Sequence, residues 1–402
     1  MSRLPPALQP WWPWAKRLHR TASLLVGILG RRFSLVWGER RLPRTAGVTS
    51  TATAAAEPQA VTVHRGDPGE VLRRSMPLGD PPDHWTFRHA TVADLPATYT
   101  LEIDRGVVVG DYGAVVTPGH RLDFETSEYF GIDRWREHPI FLRPRLPRIE
   151  DVSGSLAVLA TRGGSTNYYH FLLDVLPRLA VLESCLPDTK PDALYLPTTT
   201  RYQQELLALT GLDAATVVET RKHRAVRAET LLVPSLPNPD ELAPHWLVSW
   251  LRDRLPAGDT AHKPRRIFVT RGDRPNTRRL ETEPALWPQL EARGFTRIDP
   301  GTMSVRDQID HFAAAEAIIG VHGAALTNLV FARPGVRVLE LFAPAYLKHC
   351  FWSITQSIPG AEYRYLVGDG EPVPEGGWMN GVQHDITIAP ERILAELGWL
   401  LG

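Results

Sequence analysis

The sequence predicts an α/β fold with two units of largely parallel sheet, and three observations lead there. Short apolar runs bounded by Gly and Pro alternate with stretches of helical period from residue 156 onward. Twice, within 156–183 and within 317–341, such a run ends in a glycine turn that opens directly into a helix. Between the two, Pro256-Ala257-Gly258 and His262-Lys263-Pro264 interrupt the chain as a domain boundary does. The expected division is a basic, Trp-rich segment and linker over 1–60, an N-terminal α/β domain with a β-rich lead-in over 61–258, and a C-terminal α/β domain over 259–402.

With 402 residues the chain is long enough for two or three domains, each with its own core. Lys plus Arg equal Asp plus Glu at 45 each, but unevenly along the chain. Residues 1–45 hold nine Lys or Arg and one acid, Glu39, so the remainder is mildly acidic, with 36 bases against 44 acids. A nucleic-acid binder carries its basic surface on the folded domain, so that class is set aside. Cys185 and Cys350 make no disulfide framework and lack zinc-pair spacing, and no Asn-x-Ser/Thr site occurs; a reducing, cytoplasmic setting fits.

In 1–45, Trp11, Trp12 and Trp14 precede an apolar run at 22–29, and Phe33, Leu35, Val36 and Trp37 follow it. The run falls short of the roughly 20 apolar residues that a bilayer demands. Arg31 and Arg32 stand where a leader needs a small-residue cleavage site. Interleaved Trp, basic and apolar residues suit a peripheral segment in an anionic membrane interface; a disordered basic tail has the same composition. Residues 45–60, rich in Ala, Thr and Ser, read as a linker.

Residues 61–150 show short strands at 97–103, 107–109 and 113–116, heavily punctuated by Pro and Gly, with Glu125, Glu128 and Asp133 as solvated surface. The pattern changes at 156–160, a strand-like run leading to Gly163-Gly164-Ser165-Thr166 and then to helical period over 167–183. Phe171, Val175 and Leu179, with Leu172 and Leu176, form the apolar face at four-residue spacing. His170, Asp174 and Arg178 share another face, one turn after Asn167. Charges at that spacing also suit a plain solvated face. The glycine turn at a strand's carboxyl end favours a site. There, His170 can meet a substrate, and Asp174 can hold its ring and support imidazolium charge, as a general base requires. Pro177 lacks an N–H and predicts a kink or break close to Asp174.

Strand, helix, strand and strand at 193–197, 202–209, 216–219 and 230–234 continue the first domain, and 245–255 reads as a helix. Beyond the boundary, a strand from 265 runs into Thr270-Arg271-Gly272-Asp273, followed by Arg278 and Arg279. Arginine at a strand's carboxyl end suits a phosphate, which the planar guanidinium meets bidentately, although solvated arginines leave the same trace. A strand at 294–298 and a helix at 305–315 lead to 317–319, apolar enough for a strand buried on both faces. Gly320 and Gly323 bracket His322, and a short helix then begins with Ala324 and Ala325. Its free N–H groups and positive dipole end admit an anion such as a diphosphate. Pro334 and Gly335 end it, and 336–341 returns as a strand with Glu340 near its carboxyl end, where open α/β sheets bind ligands. His322 has no apolar face to serve and is expected on the ligand. An amphipathic helix closes the chain within 386–401.

Assembled, these motifs resemble glycosyltransferase family 61 over roughly 107–341. The resemblance rests on Asn-Tyr-Tyr-His-Phe at 167–171 with Asp174, Leu176, Pro177 and Arg178, and on Thr270-Arg271 with Arg278-Arg279. It rests further on Gly-x-His-Gly-Ala-x-Leu-Thr-Asn at 320–328 with the later Pro-Gly and Glu340. One departure is Thr282, where the family usually shows Asn, so no role is carried to that position. The resemblance implies a GT-B-like architecture: two facing Rossmann-like domains, an inter-domain cleft, and the nucleotide sugar in the C-terminal one. It also implies transfer, with inversion, from a nucleotide-diphosphate sugar to a glycan or lipid-linked glycan in bacterial surface polysaccharide synthesis. His170 and Asp174 then fall to catalysis. Arg271, Arg278, His322, Gly323, Ala324, Asn328 and Glu340 fall to the donor, Glu340 on the ribose hydroxyls. Asn167, Tyr168 and Arg178 fall to the acceptor or cleft.

No Asp-x-Asp occurs in the sequence, so metal-independent chemistry without a cofactor is expected, with Arg271 and the helix N-terminus offsetting the leaving group's charge. A rival from another class is a sugar-nucleotide-binding partner without transfer activity in a polysaccharide assembly complex. A dinucleotide oxidoreductase is disfavoured, because no Gly-x-Gly-x-x-Gly follows a strand.

Overall fold

Two large sheets carry the chain in the computed structural model, which describes residues 12–32, 34–132, 134–272, 278–377, 379, 381–382 and 384–402. Trp11, Phe33, Asp133 and Asp273 lie outside the described residues. The first sheet has at its heart four parallel strands: β1 (Ile149–Val158), β2 (Ala193–Leu196), β3 (Val217–Glu219) and β4 (Ala225–Pro234). Their spatial order is β3-β2-β1-β4, so the winding reverses between β1 and β4. Antiparallel strands Tyr99–Asp104 and Val107–Val109 extend it from β4.

The second sheet is wholly parallel: β5 (Arg266–Val269), β6 (Thr296–Ile298), β7 (Ala317–Val321), β8 (Arg337–Phe342) and β9 (Glu362–Val367). Its order is β6-β5-β7-β8-β9, with a reversal between β5 and β7. Every residue of β7 is buried, as its unbroken apolar run requires of a strand covered on both faces. In open parallel sheets, ligands bind beyond the carboxyl ends of the strands where the winding reverses, so this topology nominates two places before any side chain is considered.

Between the sheets lies one apolar cluster. Phe171, Leu172, Val175 and Leu176 from the first half meet Ile267, Val269, Ile318 and Leu329 from the second, each fully buried or nearly so. Burying such side chains stabilises by about 1.5–3 kcal/mol apiece, so the two halves are packed together through a common core. The far face of the second sheet is covered by Glu283–Glu291 and by two short helices, Pro390–Ala395 and Leu397–Leu401, into which the expected closing helix divides.

Two expectations about the first 60–80 residues are corrected. Residues 45–60 are no linker: Thr45–Gly47 pairs with Arg121–Asp123, and helix Ser50–Ala56 follows a Thr49 cap. The Ser50 and Thr53 hydroxyls donate to the fully buried Asp123 at 2.9 and 2.5 Å, which fastens the segment to the body. Nor does the chain divide cleanly at 258, because Leu78–Asp80 leaves the first half to pair with β9 as the sixth strand of the second sheet. Gly79 makes that possible: a Cβ there would lie 2.2 Å from the Tyr365 ring, which rests on the strand.

Helix α1 (Trp12–Arg32) docks through its glycines, Gly27 against the Phe141 backbone and Gly30 against Pro144. At 100° per residue, Leu18, Leu25 and Leu29 fall on the face opposite Gly27, and all three are exposed. No described helix is long and apolar enough to cross a membrane.

Candidate active site

The reversal in the first sheet positions His170. Beyond β1, Gly163 turns the chain with φ +76°, and a Cβ there would lie 2.5 Å from the His170 ring, so the backbone passes directly under the imidazole. Asn167 caps the next helix, its side chain accepting from the Tyr169 N–H at 2.9 Å. The expected break at Pro177 is present and takes a particular form. Tyr168–His170 is α-helical, 171–175 widens to a π turn closed by Leu176 N–H on the Phe171 carbonyl, and Arg178–Cys185 resumes as α-helix. Proline cannot donate to the turn before it, and π turns recur where a helix carries a site.

His170 Nδ1 and Asp174 Oδ2 lie 2.6 Å apart, and Asn238 donates to Asp174 Oδ1 at 2.9 Å and to the Tyr169 hydroxyl at 3.1 Å. Because the carboxylate accepts from both sides, the His170 proton sits on Nδ1 and the lone pair on Nε2, the arrangement of a proton acceptor. No hydrogen bond engages Nε2 among the described residues. Asn238 comes from just beyond β4, so the two strands that flank the reversal supply His170 and the support of its Asp174 partner. Its Oδ1 accepts from the Ala243 N–H at 2.8 Å and so fastens a loop in which Asp240, Glu241 and Ala243 all have left-handed φ between 45° and 60°. Strain of that kind costs roughly 1–3 kcal/mol per residue and gathers at sites. Lys348 pairs with Glu241 at 3.2 Å and joins this loop to the second half.

Arg178, expected in the cleft, is instead fully buried. It donates to the Ala160 carbonyl at 2.8 Å and to the Pro234 carbonyl at 3.0 and 2.5 Å, which clamps together the ends of β1 and β4. Burial lowers its pKa only to about 10, so it stays charged at neutral pH.

The reversal in the second sheet gathers the arginines. A cleft of about 660 Å³ opens at the ends of β5 and β7, lined by Arg271, Arg278, Ala324 and Ala325 and, from the first half, by Asn167 and Tyr168. The first turn of the 3₁₀ helix Ala324–Phe331 faces it, and the first helical bond is Leu326 N–H to the Gly323 carbonyl, so the amides ahead of it lack an intrahelical partner. Gly323 is extended and packs against the Arg271 guanidinium: a Cβ would meet Nη1 at 2.0 Å. Arg278 lies with its guanidinium carbon 4.8 Å from the Tyr346 ring centroid. Its buried Nε and Nη1 have no hydrogen-bond partner among the described residues. Two buried guanidinium nitrogens without a partner cost free energy that an oxyanion in the cleft removes.

His322 stands beside this cleft, 4 % exposed, stacked on Phe342 with centroids 4.8 Å apart. Its Nδ1 lies 2.5 Å from Glu340 Oε1, and the Tyr363 hydroxyl donates to Glu340 Oε2. Burial, then the charges of Arg278 and Arg271, push His322 well below its ordinary pKa, while burial pushes Glu340 up. Both directions favour the uncharged forms, in which the Glu340 O–H donates a hydrogen bond to His322 Nδ1. Glu340 is wholly buried with both oxygens engaged, so it supports His322 and does not reach ribose hydroxyls as expected. Asn328 is likewise buried. It accepts from the Tyr168 hydroxyl at 2.8 Å and donates to Gln308 at 2.9 Å, a bolt between the two halves behind the cleft wall.

The structure thus brings Arg271, Arg278, Ala324, Asn167 and Tyr168 to one cleft, with Gly323 packed behind Arg271, and pairs His170 with Asp174 next to it. Asn238 carried a legible signal, since Pro237-Asn238-Pro239 follows the end of β4 after two intervening residues. Tyr363 and Gln308 carried none. Residues 168–339, which begin after β1 and end inside β8, and so hold His170, Asp174 and the whole second reversal, match the model of the family described as Glycosyltransferase 61. No curated protein matches the chain.

Proposed function

We propose, on the match of residues 168–339 to the glycosyltransferase family 61 model, that this chain is a member of that family and moves a hexosyl or pentosyl group, with inversion, from a nucleoside-diphosphate sugar to a glycan hydroxyl. The observation that carries the reading is the convergence of Arg271, Arg278 and the amides at Ala324 on one cleft at a strand reversal. Diphosphate oxygens offset both guanidinium charges there. Facing Rossmann-like units in a GT-B arrangement agree with the two parallel-cored sheets and with a cleft lined from both halves.

In the displacement, Nε2 of His170 takes the acceptor's hydroxyl proton as that oxygen bonds to the anomeric carbon. The bond from that carbon to the diphosphate oxygen breaks, and the electron pair leaves with the nucleoside diphosphate. Arg271, Arg278 and the helix N-terminus stabilise the growing charge without a metal ion, and Asp174 stabilises the imidazolium. Bacterial surface polysaccharide synthesis at the cytoplasmic membrane face is the setting this reading implies, with α1 as a peripheral anchor whose exposed leucines meet the bilayer.

One observation favours the rival, a sugar-nucleotide-binding partner without transfer: His170 is only 8 % exposed and stands beside the cleft, not on its wall. A thermal-shift screen with uridine, guanosine and cytidine diphosphate sugars, followed by assay of nucleoside-diphosphate release with and without acceptor, separates the two. Stabilisation with release supports transfer, stabilisation without release supports the rival, and no stabilisation by any donor removes both.

A further inference from the structure

We propose, resting on the transferase reading, that a second cavity beside His170 is the acceptor subsite and that it takes a glycan carrying phosphate or carboxylate groups. This cavity, of about 960 Å³, shares no lining residue with the donor cleft and lies at the upper end of the range for ligand sites. Its walls are the turn at 129–132, the 142–148 segment and residues 222–223.

Charge decides the class of ligand. Arg40, Arg143, Arg145, Arg148 and Lys222 line the cavity against two acids, Asp111 and Glu137. None of the five cations has an ion pair among the described residues, whereas Arg88, Arg121, Arg162 and Arg224 elsewhere are all paired. Two of the five are fixed in place. Arg40 Nε donates to the Leu146 and Pro147 carbonyls at 3.1 and 3.3 Å, and Arg143 Nη2 donates to the Tyr112 hydroxyl at 3.2 Å. Five cations against two acids, two of the cations anchored, repel one another when the cavity is empty of anions; a neutral glycan leaves that repulsion in place and an oxyanion removes it.

Phe130 connects the cavity to the chemistry. Its ring lines the cavity, is 43 % exposed, and lies 5.1 Å from the His170 ring and 4.5 Å from the Arg162 guanidinium carbon. The exposed face offers a sugar ring a flat apolar surface one ring away from the base. α1 rests on the same side of the fold, against Phe141 and Pro144, so a lipid headgroup is the other source of the same oxyanion chemistry.

Calorimetry of the full chain with pentagalacturonate tests the proposal, with maltopentaose as the neutral control and anionic vesicles as the lipid arm. Arg148→Ala/Lys222→Ala is the variant of choice, because both side chains are exposed and neither makes a hydrogen bond or ion pair among the described residues; Arg143→Ala is the second variant. The acidic oligosaccharide is expected to bind, more weakly at high salt, with affinity lowered about tenfold or more in either variant. Maltopentaose is expected not to bind. Pentagalacturonate binding is expected to survive saturation with a nucleoside diphosphate, and Arg271→Ala is expected to leave it intact. The proposal is overturned if pentagalacturonate does not bind, if both variants bind it as the parent does, if Arg271→Ala abolishes it, or if the variants lose only vesicle binding. Failure of the transferase reading shows instead as absent donor binding, which these titrations do not measure.

Discussion

Substituting Gly323 by Ala tests the donor site with one methyl group. The backbone at 323 is extended, φ 169°, so alanine is accommodated without strain. The added Cβ would stand 2.0 Å from Arg271 Nη1, and the guanidinium has to retreat by about 1.4 Å to reach the ordinary contact distance of 3.4 Å. A hydrogen bond to phosphate lengthened by that much no longer exists. One charge-assisted bond is then lost, about 1.5–3 kcal/mol, or roughly ten- to 150-fold in affinity for a nucleoside diphosphate. Since only the end of a flexible side chain moves, the melting temperature should stay within a few degrees of the parent's. Calorimetry on Gly323→Ala, Arg271→Ala and the double variant forms a cycle. Both residues act through the same guanidinium, so the double variant should bind no worse than Arg271→Ala alone. Undiminished affinity in Gly323→Ala, or losses that simply add, would refute the placement of the diphosphate.

Three further outcomes are expected. Asn238→Ala leaves one Asp174 oxygen and the Ala243 N–H buried without their partner, so the denaturant midpoint should fall by the equivalent of about 1–3 kcal/mol and turnover should slow; an unchanged midpoint would show that water replaces the amide. His138 is fully buried, and burial holds its pKa near 3 instead of the usual 6.5. As pH falls from 6.5 toward 3, the unfolded chain gains a proton that the folded chain refuses. Stability from this group therefore drops by about 1.4 kcal/mol per pH unit, roughly 2 kcal/mol by pH 5. His138→Asn, which keeps an acceptor for the Ile140 N–H, should flatten the acid limb of an unfolding titration; equal slopes would contradict the account. Finally, the full chain should sediment with anionic vesicles, and Leu18→Glu/Leu25→Glu/Leu29→Glu should stay in the supernatant with its melting temperature kept. Parent protein that fails to sediment would remove the anchoring role of α1.

The parts of this molecule that were legible in its sequence are those in which local pattern and tertiary role agree. The runs that became β7 and β8, the Gly320–Gly323 turn, the bare first helical turn at Ala324 and the break at Pro177 all follow from short-range backbone chemistry. His170 and Asp174 were readable because helical spacing alone puts them side by side. What could not be read depends on long-range pairing. Leu78–Asp80 crosses to the second sheet because a glycine accommodates Tyr365, a contact 286 residues away that no local period announces. Residues 45–60 have the composition of a linker, yet two hydroxyls aimed at a buried carboxylate order them. Glu340 was assigned to a ligand from its strand-end position, and Arg178 from its place on the helix face of His170 and Asp174. Burial gives them structural partners instead, Tyr363 and His322 for one and two backbone carbonyls for the other.

The central claim is that His170 removes the acceptor's proton while the second sheet holds the donor. The most direct measurement is turnover of His170→Ala at saturating donor, alongside its affinity for the nucleoside diphosphate. The account predicts turnover reduced by roughly 10² to 10⁴ with affinity essentially that of the parent, because the imidazole acts only on the acceptor side. Near-normal turnover, or donor binding lost in parallel with activity, would contradict it and pass the role of base to Asp174.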